Sequence, residues 1–324
     1  MDYHRRIIQL SATVLLGAVI LRLLGNATGN PLQLKDPQDL ASALVFLHTG
    51  RMVKTVDMPP TEPEPTEPAP TQPPEPVPAV FTPEDVRRIS CNSYSGDTVD
   101  VSALLQQPLT WDLRSDSPSV LILHAHATES YTKTEEYSES TQYRTLNENY
   151  NMVSIGAHLT QLLEAQNIGV VHSREFHDNP SYNGSYERSR ATAQEHLAQA
   201  PSICLILDLH RDAMVDSLGN QIGYTVETPQ GEAAKVMLVV GAWNDHWQEN
   251  MALAVKLHAK LEQLCPGICR PISLRTSRFN QDLSDGALLI EVGAAGNTRQ
   301  EALRATEILA DAIIALSAGA VYEE

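Results

Sequence analysis

The sequence predicts an α/β domain built on a layered, mostly parallel sheet with helices on both faces. Five short, nearly continuous apolar runs read as strands buried on both sides: "VLILH" at 120–124, "GVVHS" at 169–173, "ICLILDLH" at 203–210, "VMLVVG" at 236–241 and "ALLIEVG" at 287–293. Between them lie segments whose apolar residues recur at helical spacing. Strands alternating with helices build a covered sheet, and in such sheets functional groups gather beyond the carboxyl ends of the strands.

The helices follow in order. "NMVSIGAHLTQLLEAQN", 151–167, places Val153, Ala157, Leu159 and Leu163 on one face. "SYERSRATAQEHLAQA" after Gly184 and "NMALAVKLHAKLEQL" from Asn250 repeat the period. The last helix follows "GN", with Thr298 available as its cap.

This domain is expected over residues 84–324, after two segments of different character. "IIQLSATVLLGAVILRLL", 7–24, is an apolar run of nearly membrane-spanning length, with Arg22 late enough to snorkel to the headgroups. Arg5 and Arg6 precede it, so residues 1–25 read as a cytoplasmic stub and a single transmembrane anchor, with the remainder outside. A cleaved signal peptide would need a small-x-small site, and the "GNATGN" that follows is only permissive. Residues 26–83 then form a juxtamembrane segment and a spacer. The part "MPPTEPEPTEPAPTQPPEPVPAVFTP" is too poor in apolar residues to collapse and favours extended polyproline II.

Composition narrows the function classes. A chain of 324 residues, 42% hydrophobic, suffices for one ordinary globular domain plus these extras. The net charge of −17, with no basic stripe, argues against nucleic acid as a partner. Four cysteines are too few for a disulfide framework, and Cys204 within "ICLIL" reads as a core residue. Cys265 and Cys269 in "CPGIC" are close enough in sequence to pair outside a cell, but they are a weak metal signal.

Chemistry is concentrated at three strand ends: His124 and His126 after the first strand, His210 on the third and Glu291 on the last. A zinc hydrolase uses three protein ligands, commonly two histidines and a carboxylate, and a separate acid or base. His124 or His126, Glu148 ahead of the 151–167 helix, and His210 are the candidate ligands for Zn2+, leaving Glu291 to move protons. Asp208 and Asp212 flank His210 and can orient its imidazole. No HExxH pattern is present, so spacing alone supports a metal hydrolase and nothing finer.

The runs "VLILHAHATESY", "NENYNMVSIGAHLTQLLE", "SYERSRATAQEHLAQAPSICLILDLHRDA" and "LCPGICRPISLRTSRFNQDLSDGALLIEVGAAGNTRQEA" closely resemble, in order, the stage II sporulation protein P family. The resemblance covers about residue 85 to the C-terminus, and the anchor and linker also fit it. That family is related to the zinc-dependent N-acetylmuramoyl-L-alanine amidases. The resemblance therefore implies an amidase-like fold and hydrolysis of peptidoglycan, with both amidase and endopeptidase activity, in septal wall thinning and engulfment during sporulation. It implies an enzyme held at the cell membrane by its N-terminal helix and facing the septal intermembrane space. A lytic transglycosylase like stage II sporulation protein D is the expected partner.

The resemblance also assigns residues. Laying "LHAH" on the related amidases' "DPGH" turn selects His126 and leaves His124 behind it. Laying "NENYNMVS" on "REKDVNLA" selects Glu148, "DLHRD" supplies His210, and "LIEVGAAGN" makes Glu291 the catalytic carboxylate. Arg188 and Arg190 in "SYERSR" are candidates to grip stem-peptide carboxylates, though a solvated helix face explains them equally well. Asn280 and Gln281 in "RFNQDLS", beside Phe279 where the family carries Tyr, are candidates to hold peptide or orient Glu291. Glu129 is expected behind the ligands or against substrate. The competing reading is a catalytically weak scaffold that binds wall and recruits a lytic partner. Free stem peptides released from wall separate the enzyme from the scaffold.

Overall fold

The structure, a computed structural model, describes residues 77–323 apart from 110, 112, 116 and 138–141. They belong to one compact unit, Gln72–Glu324. The expected anchor at 7–24 and most of the Pro-rich spacer lie outside the described residues. Among the described residues no helix is long and apolar enough to cross a membrane.

The elements are β1 (Ala79–Phe81), α1 (Pro83–Arg88), β2 (Cys91–Ser93), α2 (Val101–Gln106), β3 (Val120–Leu123), α3 (Met152–Glu164), β4 (Val170–His172), α4 (Ser185–Gln199), β5 (Leu205–Asp212), β6 (Thr225–Thr228), β7 (Gly231–Ala234), β8 (Val236–Gly241), α5 (Trp247–Leu264), β9 (Ile272–Arg275), β10 (Gly286–Ala294), α6 (Arg299–Ser317) and β11 (Ala320–Tyr322). Folded structure therefore begins before residue 84. The "AVF" at the end of the expected spacer forms β1, pairs parallel with β11 and buries Phe81.

Seven strands make one layer in the order β2-β9-β8-β10-β5-β3-β4. Neighbours run parallel except β10 and β8, so two parallel blocks meet at an antiparallel seam in the middle of the sheet. The sheet is thus mixed α/β and mostly parallel. All five apolar runs read as strands are strands in it.

Alternation of side chains across the pleat assigns the two faces. Val120, Ile122, Leu205, Leu207, Leu209, Leu288, Ile290 and Val292 enter one large core with residues of α3, α5 and α6. Leu121, Leu123, Ile206 and Ala287 point the other way, against Ala193 of α4. Met237, Val239 and Leu289 extend that second face toward Tyr186 and Phe279. By the same alternation Asp208 and His210 of β5 and Glu291 of β10 lie on the α4 face. Register confirms the neighbourhood: Glu291 stands beside His210, and Leu289 beside Asp208.

Two helix starts are set by side chains. Asn151 caps α3 by accepting from Val153 N, and Thr298 with Glu301 forms a capping box at α6, closing backbone donors that the first turn leaves open.

Candidate active site

The chain leaves β3 at Leu123 and turns tightly. Ala125 N donates to Asp208 Oδ1 at 2.8 Å, Thr128 donates through N and Oγ1 to Asp178 at 3.2 and 2.5 Å, and Glu129 N donates to the His126 carbonyl at 3.1 Å. That last bond folds Glu129 back over His126. His210 reaches the same place from β5. Its Nδ1 lies 3.3 Å from Glu129 Oε2, and His126 Nδ1 lies 3.7 Å from Glu129 Oε1. The two imidazole rings meet edge to face with centroids 5.0 Å apart. Among the described residues His126, Glu129 and His210 form the group able to hold a metal ion, with one donor atom from each within 4.8 Å of the others.

The electrostatics are those of a cation site. Burial acts to raise the Glu129 carboxyl, but the hydrogen bond from His210 and the charge of Arg211 outweigh it and hold the group at about 2. Burial and His210 lower His126 to about 4, so its imidazole is neutral, as a ligand must be. Burial opposes charge on His210 as well, yet Asp208 and Glu129 raise it well above its ordinary value. In effect a proton on His210 balances two buried carboxylates. Glu291 is pushed up to about 8, chiefly by burial.

Several buried polar atoms here lack hydrogen-bond partners: His126 Nε2, His210 Nε2, Asp208 Oδ2 and Glu291 Oε2. His210 Nε2 approaches Asp208 Oδ1 at 2.9 Å, an ion-pair contact rather than an aligned hydrogen bond. Orphaned donors and acceptors are costly unless something satisfies them, and neutral imidazole beside anionic carboxylate suits a divalent cation such as Zn2+. Aromatic rings wall the site. Tyr182 stacks on His126 at 4.4 Å with the Arg144 guanidinium carbon 5.0 Å from the centroid of the Tyr182 ring, and Tyr186 lies parallel to His210 at 6.4 Å.

The other predicted residues are placed as follows. His124 is fully buried away from the cluster. Its Nδ1 donates to Leu209 O at 3.1 Å, which leaves its Nε2 to accept from His172 Nε2 at 3.0 Å. Burial lowers both rings, to about 3 and about 4, so the pair is neutral. Gly156 of α3 makes room for them, since a Cβ there would stand 2.5 Å from His172 Nε2 and 2.7 Å from His124 Nε2.

Glu148, expected as the carboxylate ligand, is not brought to the cluster. Asn151 takes the cap of α3, so Glu148 sits in the preceding turn, open to solvent and ion-paired with Arg174. Glu129, expected behind the ligands, is the carboxylate beside both imidazoles. The signal for it was present: His126-x-x-Glu129 is the spacing of a tight turn, whose bond brings the first and fourth residues together.

Asp208 lies against His210, whereas Asp212 is tied to Arg270 at 2.7 Å. Arg190 makes a two-pronged pair with Asp282 at 2.8 and 2.7 Å, and Arg188 donates to the carbonyls of His177, Ser181 and Asn183. Asn280 donates to Tyr186 O and Ser189 Oγ; Gln281 accepts from Gly241 N and donates to Val239 O. Arg190 and Asn280 tie α4 to the segment before β10, Gln281 ties that segment to β8, and Arg188 holds the loop ahead of α4.

Fold and site together define a layered α/β domain with a buried histidine-carboxylate centre suited to a divalent cation. The stage II sporulation protein P family model matches residues 60–314, and the chain belongs to that family. The stage II sporulation protein P of Bacillus subtilis (strain 168) is 31% identical over 208 residues, covering 60% of this chain and 50% of that protein. The chain thus spans about half the length of that curated relative. Among solved structures, the amidase CwlD of Clostridioides difficile, in complex with the lipoprotein GerS, is 13% identical with a TM-score of 0.39 over 61% of this chain and 95% of that one. The N-acetylmuramyl-L-alanine amidase Ami1 of Mycobacterium smegmatis is 13% identical with a TM-score of 0.41 over 64% and 98%.

Proposed function

We propose that this protein is a Zn2+-dependent peptidoglycan hydrolase that cleaves the amide between N-acetylmuramic acid and L-alanine, and also cross-linked stem peptides, during sporulation. The observation that carries the reading is the convergence of His126, Glu129 and His210 beside Glu291. Family membership supports the wall as substrate, and the septum as its place is part of this reading.

His126, Glu129 and His210 would hold the metal, with Glu129 taking the role first expected of Glu148. Bound there, Zn2+ would supply Lewis acidity toward the scissile carbonyl and toward water. Asp208 steadies His210. Glu291 is the proton carrier, and in its ionised form it accepts a proton from the attacking water. It then delivers that proton to the alanine nitrogen as the C–N bond breaks, leaving a lactyl carboxylate on the glycan and a free amine on the stem.

The membrane tether and a lytic transglycosylase partner of the stage II sporulation protein D kind belong to the same reading. Mass spectrometry of purified wall after digestion tests it. Free stem peptides mark amidase action and split cross-links mark endopeptidase action, each abolished by Glu291→Ala. Unchanged wall with intact zinc binding sinks the reading and leaves the scaffold.

A further inference from the structure

The protein has three tryptophans, and all three line clefts at the end of the sheet opposite the candidate active site. One cleft, about 650 Å³, is bounded by Trp111 of the segment after α2, by Cys204 ahead of β5, by Ser284 and Asp285 ahead of β10, and by Glu249 of α5. The other, about 420 Å³, holds Trp243, Asn244, Asp245 and Trp247 after β8. The first turn of α5 contributes to both, and His246 bridges between them through its pair with Asp285 at 2.5 Å. Glu291 lies five residues along β10 from Gly286, about 16 Å at strand spacing, so the clefts and the active site occupy opposite ends of the same strand.

This end is built and not loose. Trp111 and Trp247 pack against the main core on one side, while Trp243 is 66% exposed. The loop bearing Trp243 is held by bonds from Ala242 N to Arg275 O, Trp243 N to Ser277 O and Asn244 Nδ2 to Gly241 O. Gly241 is required beneath it, because a Cβ there would meet the Ser277 carbonyl. Asn250, fully buried, clamps the opposite lip by donating to the carbonyls of Ser284 and Asp285. Trp111 Nε1 is buried without a hydrogen-bond partner and needs an acceptor.

Rigid indole faces beside planar carboxylates and carboxamides are the chemistry that recognises a pyranose chain. The C–H face of each ring packs on indole, and the hydroxyls donate to carboxylate and amide oxygens. Acidic groups line both clefts, and no Lys or Arg is among their described lining residues, which disfavours a polyanion. We propose that the two clefts form one binding site for a neutral chain of β-1,4-linked N-acetylhexosamines, separate from the active site. The choice of this polymer rests on the wall-hydrolase reading.

Titration of the full chain with N-acetylglucosamine tetramer, followed by tryptophan fluorescence, tests this. The tetramer carries no stem, so hydrolysis cannot intervene and failure here is distinct from failure of the amidase assay. Saturable quenching is expected, at least tenfold weaker in Trp243→Ala and at least tenfold weaker for a tetramer of uronic acids. No quenching up to 10 mM, equal binding by Trp243→Ala, or tighter binding of the uronic tetramer overturns the proposal. So does quenching by a peptide of residues 58–83 that the sugar fails to displace.

Discussion

Glu291 and His210 stand side by side in register on the parallel strands β10 and β5, with both side chains on the face covered by α4. Sheet pairing and not a local motif brings Glu291 to the candidate metal centre. Replacing Glu291 with Gln keeps the shape and removes the proton transfer. Release of stem peptides should fall by about 10² to 10⁴-fold, the usual contribution of a positioned acid or base. Zinc content should stay within twofold of wild type. A variant that releases stems at wild-type rate would remove Glu291 from the mechanism.

The two glutamates compared as ligands give opposite outcomes. Glu129→Gln removes the carboxylate between the imidazoles and should weaken zinc binding by well over about 10-fold, more than the loss of a supporting contact outside the ligand set. Glu148→Gln breaks only a solvent-facing pair with Arg174 and should leave affinity unchanged. Calorimetric titration of metal-stripped protein at pH 7.5 measures both, and the reverse pattern would restore Glu148.

Gly156→Ala tests the histidine pair under α3. A methyl at 2.5 Å and 2.7 Å from the two Nε2 atoms must push His172 or His124 aside. Overpacking of this kind costs about 1–3 kcal/mol. The Tm should drop by several degrees, and a variant as stable as wild type would show that the rings have room to move.

Stability should depend on pH through Lys256 of α5, fully buried with Nζ donating to Leu104 O at 2.5 Å. Burial lowers it from 10.5 to about 8. Between those values the unfolded chain binds the proton and the folded one does not, so stability rises as pH rises from about 8 to 10.5. Relative to Lys256→Met, the wild type should gain on the order of 2–3 kcal/mol across that window, read from urea melts. A difference between the two proteins that stays flat with pH would contradict the assigned burial.

How much of this was legible in the sequence follows from where the information resides. The inner strands announce themselves, because Val120–Leu123 and Val236–Gly241 are buried on both faces and must be apolar throughout. Edge strand β2, "CNS", has no such constraint, and the inner strand β9, "ISLR", is buried but too short and too interrupted by Ser273 to stand out. The antiparallel seam is not local at all: β8 and β10 are separated by α5 and β9, and nothing in either strand records its partner's direction. His126, His210 and Glu291 stand out in the sequence because strand ends are readable, and the structure sets them close together. Glu129 was undervalued because its position depends on one turn closed by the His126 carbonyl. Arg190, Asn280 and Gln281 read as substrate contacts because polar side chains look available until their partners are known.

The central place of β10 ties activity to the far end of the chain. This strand enters between β5 and β8, against residues as distant in sequence as Leu205, which Gly286 faces. Until it arrives, the sheet is two blocks with open inner edges, and the candidate centre has its histidines without Glu291. Pairings this distant in sequence form late and slowly. A chain still emerging from synthesis therefore lacks the Glu291 side of the candidate centre, so the order of the strands would act as a safety catch on the proposed activity until β10 is in place.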